Sequence, residues 1–175
     1  MTSHGKKSAQ AKRSVSDKSK TPLLRVLILH GPNLNMLGVR EPSIYGALSL
    51  NDINSRLKNL GEEIGALVDI FQSNHEGELI EKIHSACGKY QAVIINAGAY
   101  THTSIAIRDA LLVVQLPVFE VHLSNVHKRE EFRQRSFISD IAEGIIMGFG
   151  ALSYELALRA VVECVRSHSG RINIK

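Results

Sequence analysis

The chain has 175 residues, of which 44% are hydrophobic and 22% are charged, and this length and composition are typical of one globular domain. No stretch approaches the roughly 20 apolar residues of a membrane-spanning helix, so a membrane protein is not expected. The formal net charge is +4, but residues 1–20 hold six lysines or arginines against one aspartate, and the remaining residues therefore sum to −1. This distribution argues against a basic nucleic-acid-binding domain.

Residues 1–22 form a basic segment that is rich in serine, lysine and alanine and has no helical or strand periodicity. We expect a disordered extension, because the segment has too few large apolar side chains to offset the entropy lost on ordering. It lacks the apolar stretch of a secretory signal. An organelle transit peptide has a similar composition but is also amphipathic, so a solvated extension is the favoured interpretation. Specific nucleic-acid binding is not expected, because the segment has no aromatic side chains for base stacking.

Five short runs of mainly apolar residues are predicted to be strands. The runs are continuous rather than alternating, which indicates strands that are buried on both faces. They cover residues 23–29, 66–72, 92–96, 117–122 and 144–148.

Helical patterns fill the intervals between these strands. In the first helix Ser49 and Asp52 resemble a capping pair. The second helix is predicted to end near Gly88, and the third to begin after Thr103 or Ser104. The apolar residues that define a face are Leu50, Ile53, Leu57, Leu60 and Ile64 in the first helix; Leu79, Ile80, Ile83 and Cys87 in the second; and Leu158, Val161, Val162 and Val165 in the fourth. The third helix is predicted from Ile105, Ile107, Leu111 and Leu112.

The alternation of strands and helices predicts an α/β fold for residues 23–175, with repeated right-handed crossovers. We expect a three-layer α/β/α sandwich around a flavodoxin-like five-stranded parallel sheet. Residues 124–136 are highly charged and aperiodic, and they are predicted to be a surface loop. In such open sheets, ligands bind beyond the carboxyl ends of the strands, where the strand order reverses.

Two cysteines, Cys87 and Cys164, fall in predicted helices and have no neighbours at the spacing of metal ligands. We expect both to be buried, reduced thiols. This use of cysteine suits a cytoplasmic protein.

Polar side chains are concentrated at the carboxyl ends of three predicted strands, which makes this edge of the sheet the predicted site. They are His30, Asn33, Arg40 and Tyr45 after the first strand; Asn96, Gly98 and His102 at the third; and Glu120, His122, Ser124, Arg129 and Arg133 at the fourth.

Three kinds of site are disfavoured at this edge. Gly31, Gly38 and Gly46 match neither the dinucleotide-binding nor the Walker glycine pattern. The spacing of the histidines matches no common metal motif, so neutral, hydrogen-bonded rings are the favoured interpretation. No lysine lies in a predicted strand or at its carboxyl end, which argues against imine chemistry.

The remaining interpretation is proton transfer to an organic substrate. A tyrosine is a useful base only when its pKa, near 10 in water, is lowered, and Arg40 lies close enough in sequence to Tyr45 to stabilise a phenolate. His122 can serve as an acid near neutral pH. Glu120 lies two residues away on the same face of the strand, where it could orient the imidazole ring.

Five motifs resemble the type II 3-dehydroquinate dehydratases, and the resemblance covers residues from about 24 to 168. They are GPNLNMLGVREPSIYG, FQSNHEGELIEKIH, INAGAYTHTSIAIRDAL, EVHLSNVHKREEFRQRSFIS and GFGALSYELAL. The resemblance implies a flavodoxin-like fold without metal or cofactor. It also implies the anti elimination of water from 3-dehydroquinate through an enolate, in the shikimate pathway of aromatic amino acid biosynthesis.

The same resemblance implies the roles of individual residues. Tyr45 would be the base, Arg40 its activator, His122 the acid and Glu120 its orienting partner, while Asn33 would hold the water that stabilises the enolate oxygen. Asp109 is similar to a residue that reaches into a neighbouring subunit's site, which implies a homododecamer built from trimers. The other implied substrate-binding residues are Asn96, His102, Leu123, Ser124 and Arg133.

A binding or regulatory module with a flavodoxin-like fold and no catalytic activity is the alternative from a different functional class. Such a module would have no use for Tyr45, Arg40 and His122 together.

Overall fold

Five parallel strands form one sheet in the computed structural model of the chain, which describes Met1 and residues 24–38 and 48–171, the last four of these by their backbone only. The sheet order is β2-β1-β3-β4-β5, which confirms the predicted flavodoxin-like arrangement. The predicted extension of residues 1–22 lies outside the described residues, apart from Met1. The strands are β1 Leu24–His30, β2 Ala66–Gln72, β3 Ala92–Asn96, β4 Val118–His122 and β5 Gly144–Met147.

Burial explains why the central strands are apolar throughout. Every residue of β3 and β4 is buried, because helices cover both faces of the sheet. The strand register aligns His30 at the end of β1 with Gln72 of β2 and Asn96 of β3. The last polar residues of neighbouring strands therefore lie side by side at the carboxyl edge.

In the described part of the chain, four helices complete the three layers: α1 Leu50–Ile64, α2 Glu76–His84, α3 Ile105–Val114 and α4 Leu152–Arg171. One core cluster joins α1 and α4 to one face of the sheet, and a second joins α2 and α3 to the other. The predicted apolar face of α4 is confirmed for Leu158, Val161 and Val162, which are buried, while Val165 is partly buried.

Side-chain caps define where two helices begin. Ser49 and Asp52 form a reciprocal capping box at the start of α1, as predicted. Of the two candidates for the start of α3, Ser104 is the cap, and its hydroxyl accepts a hydrogen bond from the backbone N–H of Ile107.

The prediction that both cysteines are buried was wrong for Cys87, which is exposed, and Cys164 is partly buried. The reason is that α2 ends at His84 and not near Gly88, so a turn rotates Cys87 away from the apolar face. Ala86 occupies the core position instead and is fully buried.

The predicted surface loop of residues 124–136 contains two short 3-10 turns, Val126–Lys128 and Glu131–Arg133. Val126 is buried within it, whereas Phe132 is exposed. Single buried side chains leave no periodic signal in the sequence, which is why this partial order was not predicted. Among the described residues, no helix is long and apolar enough to cross a membrane.

The close approach of α1 to β2 depends on Gly61, and Gly61→Ala should lower the free energy of unfolding by about 1–3 kcal/mol through overpacking. A Cβ atom at this position would lie 2.7 Å from both the Ala66 carbonyl oxygen and the Val68 Cγ2 atom. Urea denaturation followed by circular dichroism measures the effect.

The matched control is Gly77→Ala in α2, where an added Cβ would have no neighbour within 4 Å. This change should be neutral or stabilising by up to about 1 kcal/mol, because alanine is the better helix former. Equal stability of the two variants would contradict the packing argument.

Candidate active site

A cavity of about 370 Å³ opens at the carboxyl edge of the sheet. It lies beside the ends of β1 and β3, where the strand order reverses, as expected for ligand sites in open parallel sheets. Nine of the predicted site residues line it together: Asn33, Asn96, Gly98, His102, His122, Leu123, Ser124, Arg129 and Arg133.

Of the predicted residues that the structure describes, His30, Glu120 and Asp109 do not line the cavity. Arg40 and Tyr45 lie outside the described residues. Leu37, which precedes them in the chain, is one of the lining residues. Glu120 lies behind His122 and is hydrogen-bonded to its imidazole ring. Asp109 is exposed on α3.

Asn33 begins a short 3-10 turn after β1 in the left-handed conformation, with φ of 65°. Its backbone N–H donates to Asn74 Oδ1 at 2.9 Å, and the Tyr100 hydroxyl donates to the Asn74 carbonyl at 2.9 Å. Gly31 permits a close approach here, because a Cβ atom would lie 2.2 Å from the Ala97 carbonyl oxygen. The first residues of the loop after β1 therefore pack tightly against the loop after β3.

The carboxylate of Glu120 is fully buried and accepts hydrogen bonds from four side chains. His122 Nε2, the Thr101 hydroxyl and the Ser136 hydroxyl each lie 2.8 Å from Oε1, and the Ser139 hydroxyl donates to Oε2. These donors compensate for the water that the carboxylate loses on burial.

The charge state of Glu120 follows from this environment. Burial raises the pKa of its carboxyl, but the hydrogen bond and charge of His122, together with the hydrogen bonds from Ser139 and Ser136, lower it, and the net pKa lies below its ordinary value. The group is therefore an anion at neutral pH and stabilises a positive charge on His122. Because Nε2 is bonded to Glu120, Nδ1 is the ring nitrogen left for a ligand.

His102 presents a hydrogen-bond acceptor to the cavity. Its Nδ1 lies 2.7 Å from the Arg135 carbonyl oxygen, which can only accept, so Nδ1 carries the proton. Burial lowers the pKa of His102, and the charges of His122, Arg133 and Arg129 lower it further. The neutral ring therefore has Nε2 as an acceptor.

Two arginines give the far wall of the cavity a positive character. Arg129 and Arg133 approach the same Glu130 carboxylate oxygen, with Nε at 3.9 and 3.2 Å. Arg133 Nε is buried and makes no hydrogen bond within the described part of the chain. One carboxylate faces two guanidinium groups, so this wall suits an anionic ligand.

The sequence did not reveal the residues that support this site, namely Thr101, Ser136 and Ser139 around Glu120, and Asn74 and Tyr100 around Asn33. All five lie within the recognised motifs, but their contacts depend on distances between separate loops. In the described ranges, no group of three or more His, Cys, Asp or Glu residues could hold a metal ion.

Known proteins resemble this chain over most of its length. The family model described as dehydroquinase class II matches residues 24–162. A 3-dehydroquinate dehydratase from Synechocystis is 57% identical over 143 residues, covering 82% of this chain and 94% of that protein. One from Trichodesmium erythraeum is 54% identical over 145 residues, covering 83% and 97%.

The crystal structure of type II dehydroquinase from Butyrivibrio crossotus has a similar fold, with a TM-score of 0.77 and 41% sequence identity. The match covers 79% of this chain and 97% of that chain.

Replacing Glu120 by glutamine should destabilise the chain at neutral pH by roughly 3 kcal/mol, because the change removes a buried charge that accepts four hydrogen bonds. The folded-state pKa of Glu120 is lowered, so its stabilisation is fully present above its ordinary pKa and is lost as the pH falls through the lower folded value. The difference between wild type and Glu120→Gln should therefore shrink below about pH 4.5.

Urea denaturation between pH 3 and 7 measures this difference, with Glu143→Gln as the control at an exposed glutamate. A difference between wild type and Glu120→Gln that stays constant over this range would contradict the ionised state of Glu120.

Proposed function

The chain belongs to the class II dehydroquinase family, and we propose that the cavity at the carboxyl edge of its sheet is where the reaction of that family takes place. The enzyme is a hydro-lyase that removes water from 3-dehydroquinate to give 3-dehydroshikimate, in the shikimate pathway. The observation that carries the assignment to this cavity is the buried pair of Glu120 and His122, which supplies an oriented acid beside polar and cationic binding groups.

The reaction needs a base that removes a proton next to the ketone, and we assign this role to Tyr45 with Arg40 as its activator. A phenol is a weak base at neutral pH, and an adjacent guanidinium stabilises the phenolate because it stays charged. The support is the sequence motif and the position of Leu37, which lines the cavity shortly before these residues in the chain.

His122 donates the proton to the departing hydroxyl in this assignment. Its Nε2 is held 2.8 Å from the Glu120 carboxylate, which leaves Nδ1 as the donor toward the substrate. The fixed anion stabilises the imidazolium before transfer and sets the ring orientation. Such positioned proton transfer contributes on the order of a hundredfold to ten-thousandfold in rate.

Asn33 holds the water that stabilises the enolate oxygen. Its place in the cavity wall and its constrained backbone support this role, since an oxyanion donor is effective only when it is fixed before the reaction.

The remaining polar groups bind the substrate. His102 Nε2 can accept a hydrogen bond from a substrate hydroxyl, and the guanidinium of Arg133, which lines the cavity, can donate to the substrate carboxylate. Asn96 and Leu123 with Ser124 complete the contacts to the hydroxyls and the carboxylate.

An elimination through an enolate is favoured over an imine mechanism. None of the described lysines lines the cavity, so none of them is placed to attack the ketone. A binding module without catalytic activity would not need a buried carboxylate that orients an acid.

We also propose that the enzyme acts in the cytoplasm as a homododecamer built from trimers. Asp109 is exposed on α3 and lies outside the cavity of its own chain, which supports a contribution to a neighbouring copy. The exposed apolar side chains of Ile105, Leu112 and Val113 on the same helix suit a subunit contact. The small number of cysteines is consistent with a reducing compartment.

The assembly should have a molecular mass twelve times the 19.3 kDa of one chain. Light scattering after size-exclusion chromatography measures this mass directly. A stable single chain with full activity would contradict both the assembly and the contribution of Asp109 to a neighbouring copy.

The chain should convert 3-dehydroquinate to a conjugated enone that absorbs ultraviolet light, and Tyr45→Phe or His122→Asn should lower kcat by a hundredfold or more, on the order expected for loss of a base or an acid. The control is Tyr90→Phe, which removes a hydroxyl at the amino edge of the sheet, before β3, and should leave kcat unchanged.

A folded wild type without absorbance change would refute the function. Near-normal turnover by either active-site variant would refute the role assigned to that residue. Adding borohydride in the presence of substrate should not inactivate the enzyme, since no imine forms.

A further inference from the structure

A buried line of hydrogen bonds runs from α1 to the wall of the cavity. His30 Nε2 lies 3.0 Å from Asn54 Oδ1, and His30 Nδ1 lies 2.7 Å from the Tyr154 hydroxyl. The same hydroxyl is hydrogen-bonded to the side chain of Asn96, which lines the cavity. Both His30 and Tyr154 are fully buried.

The donor and the acceptor of each hydrogen bond can be assigned by starting from Asn54, at the α1 end of this line. The amide oxygen of Asn54 can only accept, so His30 Nε2 carries the proton and, in a neutral ring, Nδ1 is an acceptor. The Tyr154 hydroxyl must then donate to His30, and its oxygen accepts from the amide nitrogen of Asn96. At the other end of that amide, Asn96 Oδ1 accepts from the Gly98 backbone N–H at 3.2 Å.

Both groups keep these proton positions over the physiological range. Burial lowers the pKa of His30 to about 4, so the ring is neutral at pH 7. Burial also raises the pKa of the Tyr154 phenol, which therefore keeps its proton. Each hydrogen bond of this line therefore keeps the same donor and the same acceptor at pH 7.

We propose that Tyr154 and His30 are positioning residues that fix which end of the Asn96 amide is presented to each polar group of the substrate. The proposal rests on the assignment of Asn96 to substrate binding made above. An amide that could turn over would exchange its donor and acceptor, so a fixed amide discriminates between a substrate hydroxyl that donates and one that accepts.

The location of Tyr154 supports a role in positioning Asn96 in addition to a role in packing the core. The next inward-facing residues on α4 include Leu158 and Val161, which contact the core through apolar atoms alone. Burying a hydroxyl and an imidazole costs free energy unless both are hydrogen-bonded, and here the bonds end on a residue of the cavity wall.

Tyr154→Phe removes the hydroxyl and keeps the ring, so it tests the proposal with little change in packing. We expect KM for 3-dehydroquinate to rise about tenfold while kcat changes less than about threefold, because Asn96 binds the substrate in both the ground state and the transition state. Tyr90→Phe is the matched control and should leave both constants unchanged.

A double-mutant cycle with Asn96→Ala separates positioning from a general loss of structure. If Tyr154 acts through Asn96, Tyr154→Phe should raise KM less than about twofold further in the Asn96→Ala background. The proposal would be overturned if the increases in KM caused by the two single substitutions multiplied in the double variant. It would also be overturned if Tyr154→Phe alone had the KM of the wild type.

Asn54→Ala provides a second variant if Tyr154→Phe fails to fold, because Asn54 is only partly buried. It removes the acceptor that sets the direction of the line and should raise KM by a smaller factor than Tyr154→Phe; an unchanged KM would overturn the proposal. A wild type without turnover would instead refute the proposed function, so the two failures can be distinguished.

Discussion

The site depends on the ionised carboxylate of Glu120 in the interior of β4. A carboxylate without water is tolerated only when several donors surround it. The donors come from the turn after β3, through Thr101, from the end of β4, through His122, and from the segment before β5, through Ser136 and Ser139. The requirement to satisfy one charge therefore fixes three of the segments that build the cavity.

The parallel sheet supplies the rest of the arrangement. Aligned strands bring His30, Asn96 and His122 to one edge, and the reversal of strand order between β1 and β3 leaves space there. The loops at this edge have different roles. The described start of the loop after β1 packs closely against its neighbours through Gly31 and Asn74, whereas the loop after β4 contributes cations to the wall.

Much of the fold could be predicted from the sequence because the core is continuous. The bounds of β2 and β3 agree with the prediction, and Ser49 was found from local chemistry alone. The site residues that line the cavity were found because they follow buried strands within specific motifs. The position of Cys87 was mispredicted because a helix end decides it, and three residues of turn were enough to change its environment.

The supporting groups could not be predicted for a different reason. A serine such as Ser139 or a tyrosine such as Tyr154 acquires its role only through a partner that is distant in the sequence. The catalytic claim rests on the carboxylate that these groups surround, and the most direct test is the kcat of Glu120→Gln with 3-dehydroquinate at pH 7, on protein shown to be folded. The account predicts a fall of roughly a hundredfold with KM little changed, because the acid loses its anionic partner. A kcat within twofold of wild type would contradict it.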